Sequence, residues 1–375
     1  MEFVINKNYF SNIISNVSHV TTSKSSIQML SGIKIIADQS GLKLIGSNAE
    51  IVIEKFLPLN DGNEHKLEIH SYGSIVVPAK YLSEVVKKLP SRIHFKVTEN
   101  NLIKIQSEDV ITKLKGLNAA EYPSIPEVNL QNSISISGKE FNETIKQTVF
   151  AVASNDSRPA LTGVNMAFDE NKLTCVATNS HRLALKEIEI DSTIKDSIVV
   201  SQTTLKELIK LINSETSTIH ISFSDNYVLF MGNNMRLFSR LIEGNYPEIS
   251  KLIPKDSRTV LTLDSKRFSQ GIDRACLFAT ESRNNNVRLK IKDGSKLIIS
   301  SNTAEVGRIE ETQMINTITG NKELTLSLDG KFLMDAIKTI KADEIKISMG
   351  GSMNPVLIEP LDDSTYVHLI SPVRT

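Results

Sequence analysis

The chain has 375 residues, 40% hydrophobic and 23% charged, which is too long for one ordinary core and suits two or three globular domains. Its 43 basic and 43 acidic residues exclude attachment to nucleic acid by bulk charge, though lysines gathered on one surface would still serve. Two cysteines, Cys175 and Cys276, exclude a disulfide framework or a paired-cysteine metal site, and no signal core or run of about 18 apolar residues occurs, so a cytoplasmic setting is expected.

The first expected elements are a short strand and an amphipathic helix in FVINKNYFSNIISNV, from Phe3. Phe10 and Ile14 stand one helical turn apart and face a common core. A hairpin follows in GLKLIGSNAEIVIE, from Gly41, where β-branched residues alternate on either side of a turn. KYLSEVVKKL, Lys80 to Leu89, then sets Leu82, Val85, Val86 and Leu89 at i, i+3, i+4 and i+7, one apolar stripe. Tyr122-Pro123, with Pro126 beyond, marks a linker near residue 127.

The series then begins again. ISISGKEFNETIKQTV from Ile134 carries Phe141 and Ile145, NKLTCVATNSHRLAL from Asn171 is the hairpin, and TLKELIKLI, Thr204 to Ile212, repeats the stripe with Leu205, Leu208, Ile209 and Ile212. Tyr246-Pro247 and Pro254 mark a second linker. A third round follows in LTLDSKRFSQGIDRA from Leu261, with Phe268 and Ile272, then SKLIISSNTAEVGRIE from Ser295. It closes with KFLMDAIKTI, Lys331 to Ile340, striped by Leu333, Ala336, Ile337 and Ile340. Leu30 and Leu161 are 131 residues apart, as are Asn48 and Asn179, so the register holds through a whole hairpin. The expectation is three repeated two-layer α+β domains, 1–127, 128–254 and 255–375. Such domains suit a closed ring, because each can pack head to tail on the next. A duplicated scaffold with its function elsewhere is the plain alternative.

No phosphate loop, nucleophile elbow or zinc helix occurs, and the seven histidines are scattered. No catalytic site, metal or cofactor is expected. An enzyme on a repeated α+β scaffold remains the rival, since catalytic carboxylates can converge from distant segments.

Four segments carry a family resemblance: LTGVNMAF from Leu161, ATNSHRLAL from Ala177, RLIEGNYPEISKLIP from Arg240 and the terminal HLISPVRT from His368. Together they resemble the bacterial DNA sliding clamps, the beta subunits of DNA polymerase III, and the likeness spans the chain. It implies the DNA clamp fold, with two chains closing head to tail into a six-domain ring whose helices line the channel. It implies a non-enzymatic processivity factor that holds duplex DNA by topology, without sequence preference or cofactor. Its implied partners are a second copy of itself, DNA polymerase III, the clamp loader and repair proteins, the proteins reached through short linear motifs, with no membrane. A divergent second clamp copy with a repair or regulatory role is the alternative within the family.

Lys80 and Lys87 lie seven residues apart, opposite the apolar stripe; Lys331 and Lys338 repeat the spacing, and Lys210 takes the place of Lys87. Spacing alone reads as a solvated helix face. The resemblance implies a DNA-binding channel set of these five with Lys24, Lys139, Lys146 and Arg158. For the partner peptide it implies a pocket of Leu161, Thr178, Ser180, His181, Arg182, Leu183, Pro247, Lys251, Leu252, Leu369, Ser371, Pro372, Val373 and Arg374. Leu161, Leu183, Leu252 and Val373 would form its apolar slot, with Arg182 and Arg374 polar at the edge. Read without the family, His181-Arg182 is a hairpin pair. For ring closure the resemblance implies Thr112 and Leu114 on one side, Leu277 and Phe278 on the other. The chain departs from the family at Asn179 (usually Asp), Lys251 (usually Arg), Ser371 and Thr112 (usually apolar), and in KSSIQML from Lys24, so a weaker pocket and a weaker ring are expected.

Overall fold

Apolar residues at helical spacing become six α-helices among the described residues: α1 (Lys7–Ser18), α2 (Ala79–Lys88), α3 (Gly138–Thr148), α4 (Gln202–Leu211), α5 (Ser265–Ala279) and α6 (Gly330–Thr339). The computed structural model describes residues 1–21, 27–59, 66–125, 133–213, 216–254, 256–279, 285–303 and 307–373. Each helix starts and ends within a few residues of the segment read for it. Phe10, Phe141 and Phe268 are fully buried, and Ile14, Ile145 and Ile272 beside them are nearly so. Val85 and Ile209, placed in the apolar stripes, are only half-buried, at the flank of their helices. The starts are set by polar caps: Asn6 Oδ1 accepts from the Asn8 N–H at 2.9 Å, and Asp329 Oδ1 from the Lys331 and Phe332 N–H groups at 2.8 and 3.1 Å.

Two compact units make up the chain, residues 1–141 with 203–241, and residues 142–202 with 242–375. In the first, Leu67–Ser71, Glu2–Ile5, Ile93–Val97, Leu102–Ser107 and Val110–Lys115 form a five-stranded antiparallel sheet in that order. An eight-stranded sheet runs Ile134–Ser137, Thr218–Phe223, Tyr227–Gly232, Met235–Arg240, Ile51–Pro58, Gly41–Ser47, Gly32–Asp38, Gly73–Pro78. Helix α1 packs on α2 and on the Gly41–Ser47 hairpin, while Phe10 meets the stacked rings of Phe3 and Phe95 edge-on.

The second unit repeats the scheme. Its nine-stranded sheet runs Lys195–Ser201, Gly163–Asp169, Lys172–Thr178, Arg182–Glu189, Tyr366–Ile370, Val356–Pro360, Glu344–Met349, Thr259–Asp264, Thr317–Gly320. Its four-stranded sheet runs Gly307–Met314, Lys296–Thr303, Asn286–Lys292, Leu324–Asp329, and α5 packs against it and against α6.

The middle third of the chain is shared because each large sheet is a seam between two rounds of the repeat. In the first seam Phe238 lies opposite Val52 and Ser239 opposite Ile51; in the second, Leu369 lies opposite Leu183 and Ile370 opposite Arg182. Both strands of the second seam follow the first by 131 residues, the offset already visible between Asn48 and Asn179. The turns feeding the seams match atom for atom. Asn48 Oδ1 accepts from the Glu50 and Ile51 N–H groups, and Asn179 Oδ1 from those of His181 and Arg182. The residues between, Ala49 and Ser180, hold left-handed backbone at φ 77° and 75°. An aspartate would accept the same two bonds, so asparagine at position 179 leaves the turn intact.

Cutting Phe268 back to alanine is expected to cost about 3–5 kcal/mol of unfolding free energy. Lys266→Ala, on the exposed side of α5, should stay within about 0.5 kcal/mol. Guanidinium unfolding followed by circular dichroism measures both.

Candidate functional site

Strand alternation decides what the second seam presents. Leu183 and Leu185 point to one face, where they join Val176, Leu357, Val367 and Leu369 in a buried cluster backed by Tyr246, Ile249 and Ile253. Beside Leu183 opens a cavity of about 230 Å³, lined by Arg158, Thr178, Ser180, Arg182, Leu183, Pro247, Leu252, Pro355, Leu369 and Ser371. Leu252, 41% exposed, offers its side chain freely. The Thr178 hydroxyl is spent on the turn, donating to the Arg182 carbonyl at 2.6 Å. The geometry is an apolar slot with a polar rim, sized for one or two side chains of an extended segment.

Eight residues read for this pocket are therefore brought together: Thr178, Ser180, Arg182, Leu183, Pro247, Leu252, Leu369 and Ser371. Leu161 is buried rather than on the wall, His181 is exposed at the turn, and Lys251 is exposed and ion-paired with Glu248. Pro372 and Val373 are half-buried, and the Val373 N–H donates to the Ser327 carbonyl at 2.8 Å. Arg374 and Lys24 lie outside the described residues. Arg158, expected among the channel residues, borders this pocket, where its Nη2 donates to Ser180 Oγ at 2.7 Å. Its backbone N–H and side chain both bind Asp156, and these bonds lower that carboxyl's pKa. Pro355, just before the Val356–Pro360 strand, was not read from sequence; no motif marks it.

Arg182 is set more deeply. It borders the cavity, yet its guanidinium is not an exposed edge: it follows the strand's other face toward α6 and is 9% exposed. Nη1 donates to Asp335 Oδ2 at 2.6 Å and Nη2 to the Phe150 carbonyl. The rings of Phe332 and Phe150 lie 4.5 and 5.3 Å from its carbon centre. His368 is fully buried in the same cluster, 4.6 Å from the Tyr366 ring. Burial, with the Arg182 charge second, pushes its pKa down to about 3, so it is neutral in the fold.

The lysines sit as amphipathic spacing requires. Lys80, Lys87, Lys139 and Lys210 are exposed in the first unit, and Lys146, Lys331 and Lys338 in the second. The strand Val110–Lys115 is an open edge of the five-stranded sheet, with Thr112 and Leu114 half-buried and Ile111 outward. Gly307–Met314 is an open edge of the four-stranded sheet. Near the end of α5, Leu277 is 70% exposed and Phe278 half-buried. Among the described residues no group of three or more acidic, histidine or cysteine side chains could hold a metal, and no helix is long and apolar enough to cross a membrane.

Family models match in three consecutive stretches: the DNA polymerase III beta subunit N-terminal domain over residues 1–126, the central domain over 135–248 and the C-terminal domain over 250–374. The beta sliding clamp of Bacillus subtilis is 39% identical over 378 residues, covering 100% of both chains. That of Halalkalibacterium halodurans is 36% identical, again over 100% of both. A crystal structure of the DNA polymerase sliding clamp from Bacillus subtilis superposes with a TM-score of 0.97 at 39% identity, covering 100% of this chain and 99% of that one. The DNA polymerase III beta chain from Streptococcus pneumoniae gives 0.95 at 33% identity, with 100% of both covered.

The depressed His368 pKa has a consequence for acid stability. Its contribution is complete above the ordinary value of 6.5 and is lost as pH falls toward 3, because the unfolded chain takes up the proton first. Between pH 6.5 and about 5 the unfolding free energy should fall by up to about 1.4 kcal/mol per pH unit. His368→Phe should flatten that slope in denaturant titrations across the range.

Proposed function

The chain belongs to the DNA polymerase III beta subunit family, and from that membership we propose that two copies close head to tail into a six-domain ring around duplex DNA. The ring tethers the replicative polymerase to its template and catalyses nothing itself. The observation that carries this reading is the pair of open edges. Val110–Lys115 stands in the first round where Met235–Arg240 and Tyr366–Ile370 stand in the others. Gly307–Met314 is likewise the counterpart of Ile51–Pro58 and Arg182–Glu189. Two such pairs are joined as seams, and the third is left for another copy. Carrying the seam pattern forward puts Ile309 opposite Thr112, both half-buried, with Leu277 and Phe278 of the neighbouring α5 as apolar cover. Domain limits near 127 and 254 go with this arrangement.

A closed ring needs no tight grip. Exposed lysines repeated on the second helices offer weak, sequence-blind phosphate contacts, which permit sliding while topology prevents escape. Clients, including the polymerase, the clamp loader and repair proteins, insert a short apolar motif into the pocket beside Leu183. The setting is the cytoplasm.

Three expectations test this reading. Thr112→Cys combined with Ile309→Cys should cross-link two copies on oxidation, whereas native mass of Leu277→Ala with Phe278→Ala should show folded monomer, each lost side chain weakening the contact by roughly 2 kcal/mol. No cross-link from the cysteine pair, or a fully dimeric Leu277→Ala, Phe278→Ala protein, would reject the seam. A peptide carrying the family's apolar-plus-glutamine motif should bind with a Kd on the order of micromolar, and Leu183→Ala should weaken it by about 1–3 kcal/mol. Calorimetry should also show Ser371→Leu tightening binding, since the native hydroxyl borders an apolar slot.

A further inference from the structure

The second helix of each repeat bears the same polar face, with an acid and a lysine three residues after it on all three and a further lysine one turn before the acid on two. It reads Lys80, Glu84, Lys87 on α2, Thr203, Glu207, Lys210 on α4, and Lys331, Asp335, Lys338 on α6. The spacing i, i+4, i+7 sets each acid one turn before the last lysine. On two helices that reach is used. Glu84 is shared between Lys87 at 3.9 Å and Lys88 at 3.7 Å, and Glu207 meets Lys210 at 2.8 Å. On α6 it is not: Asp335 is held by Arg182, and the exposed Lys338 has no hydrogen-bond or ion-pair partner among the described residues.

We infer that Arg182 is a positioning residue for DNA binding, which sequesters Asp335 and so leaves Lys338 as the one unneutralised lysine of the repeat-related three and their strongest phosphate contact. The inference rests on the clamp reading above. A lysine already paired must share or give up its carboxylate to take a phosphate, and the acid itself repels the phosphate. Lys338 meets neither obstacle. Asp335 stays with Arg182 because that guanidinium is buried between Phe150 and Phe332 and has no other carboxylate partner among the described residues. Losing it would leave a buried charge uncompensated. No single helix sequence shows this, since all three present an acid at the same place.

The test measures binding of the full-length chain to a short fluorescent duplex by anisotropy, from roughly 50 to 200 mM salt. Lys338→Gln should lower the slope of log affinity on log salt by about 1 per chain, more than Lys87→Gln or Lys210→Gln. Arg182→Gln should behave like Lys338→Gln although it keeps every lysine, because Asp335 then turns to Lys338. Adding Asp335→Asn to Arg182→Gln should restore the wild-type slope. Should Arg182→Gln fail to fold, the surface variant Glu84→Gln reads the same effect in reverse, freeing Lys87 and Lys88 and steepening the slope. Equal losses from the three lysine variants, no effect of a folded Arg182→Gln, no restoration by Asp335→Asn, or an unchanged slope in Glu84→Gln would each overturn the proposal. If all three lysine variants, singly and combined, bind as wild type does, the clamp reading of these helices fails, and this inference with it.

Discussion

An antiparallel edge strand has unspent N–H and C=O groups, and this chain meets that demand twice by the same means. Met235–Arg240 pairs with Ile51–Pro58, and Tyr366–Ile370 with Arg182–Glu189, at one register displaced by 131 residues. Everything else at the candidate site follows from the second of these seams. The turn at Asn179 aims the strand, the strand's alternation assigns Leu183 to the pocket and Arg182 to the helix side, and the pairing with Leu369 supplies the opposite wall. A slip of one residue would exchange the two faces, putting a guanidinium in the apolar slot and a leucine against Asp335.

Burying Arg182 is costly unless its charge is answered, and the surroundings answer most of it. Asp335, the Phe150 carbonyl and two aromatic faces surround the guanidinium, although its Nε has no partner among the described residues. His368 remains neutral next to it, which avoids a second buried positive charge. The cluster ties the end of one repeat's hairpin to the last helix of the next, so the pocket wall and α6 form one packed body within the second unit.

Much of this was legible in the sequence, for local reasons. Phe10, Phe141 and Phe268 recur because each helix must bury the same turn, and periodicity reports that directly. Asn48 and Asn179 recur because one turn geometry feeds both seams. The fate of Arg182 was not legible, since a strand pattern gives alternation but not which face meets a helix 153 residues away. The contact of Arg158 was hidden for a related reason: its place before the Pro159–Thr162 turn brings it to Ser180, 22 residues away, and no pattern announces that partner. Pro355 has no signal of its own. The fusion of sheets between successive thirds was equally hidden, because no residue type announces which edge will be shared.

The first seam carries the same framework as the second but different furniture. Where the second has Leu369 and Ser371 on the pocket wall, the first has Phe238, a larger ring that is buried, and Arg240, which lies 5.9 Å from the Tyr227 ring. Duplication copied the scaffold but not these wall residues, so the two seams present different surfaces to a ligand. In the ring proposed above each of the two chains brings its own copy of the pocket, and a short, modestly held motif is the kind of ligand that exchanges rapidly there.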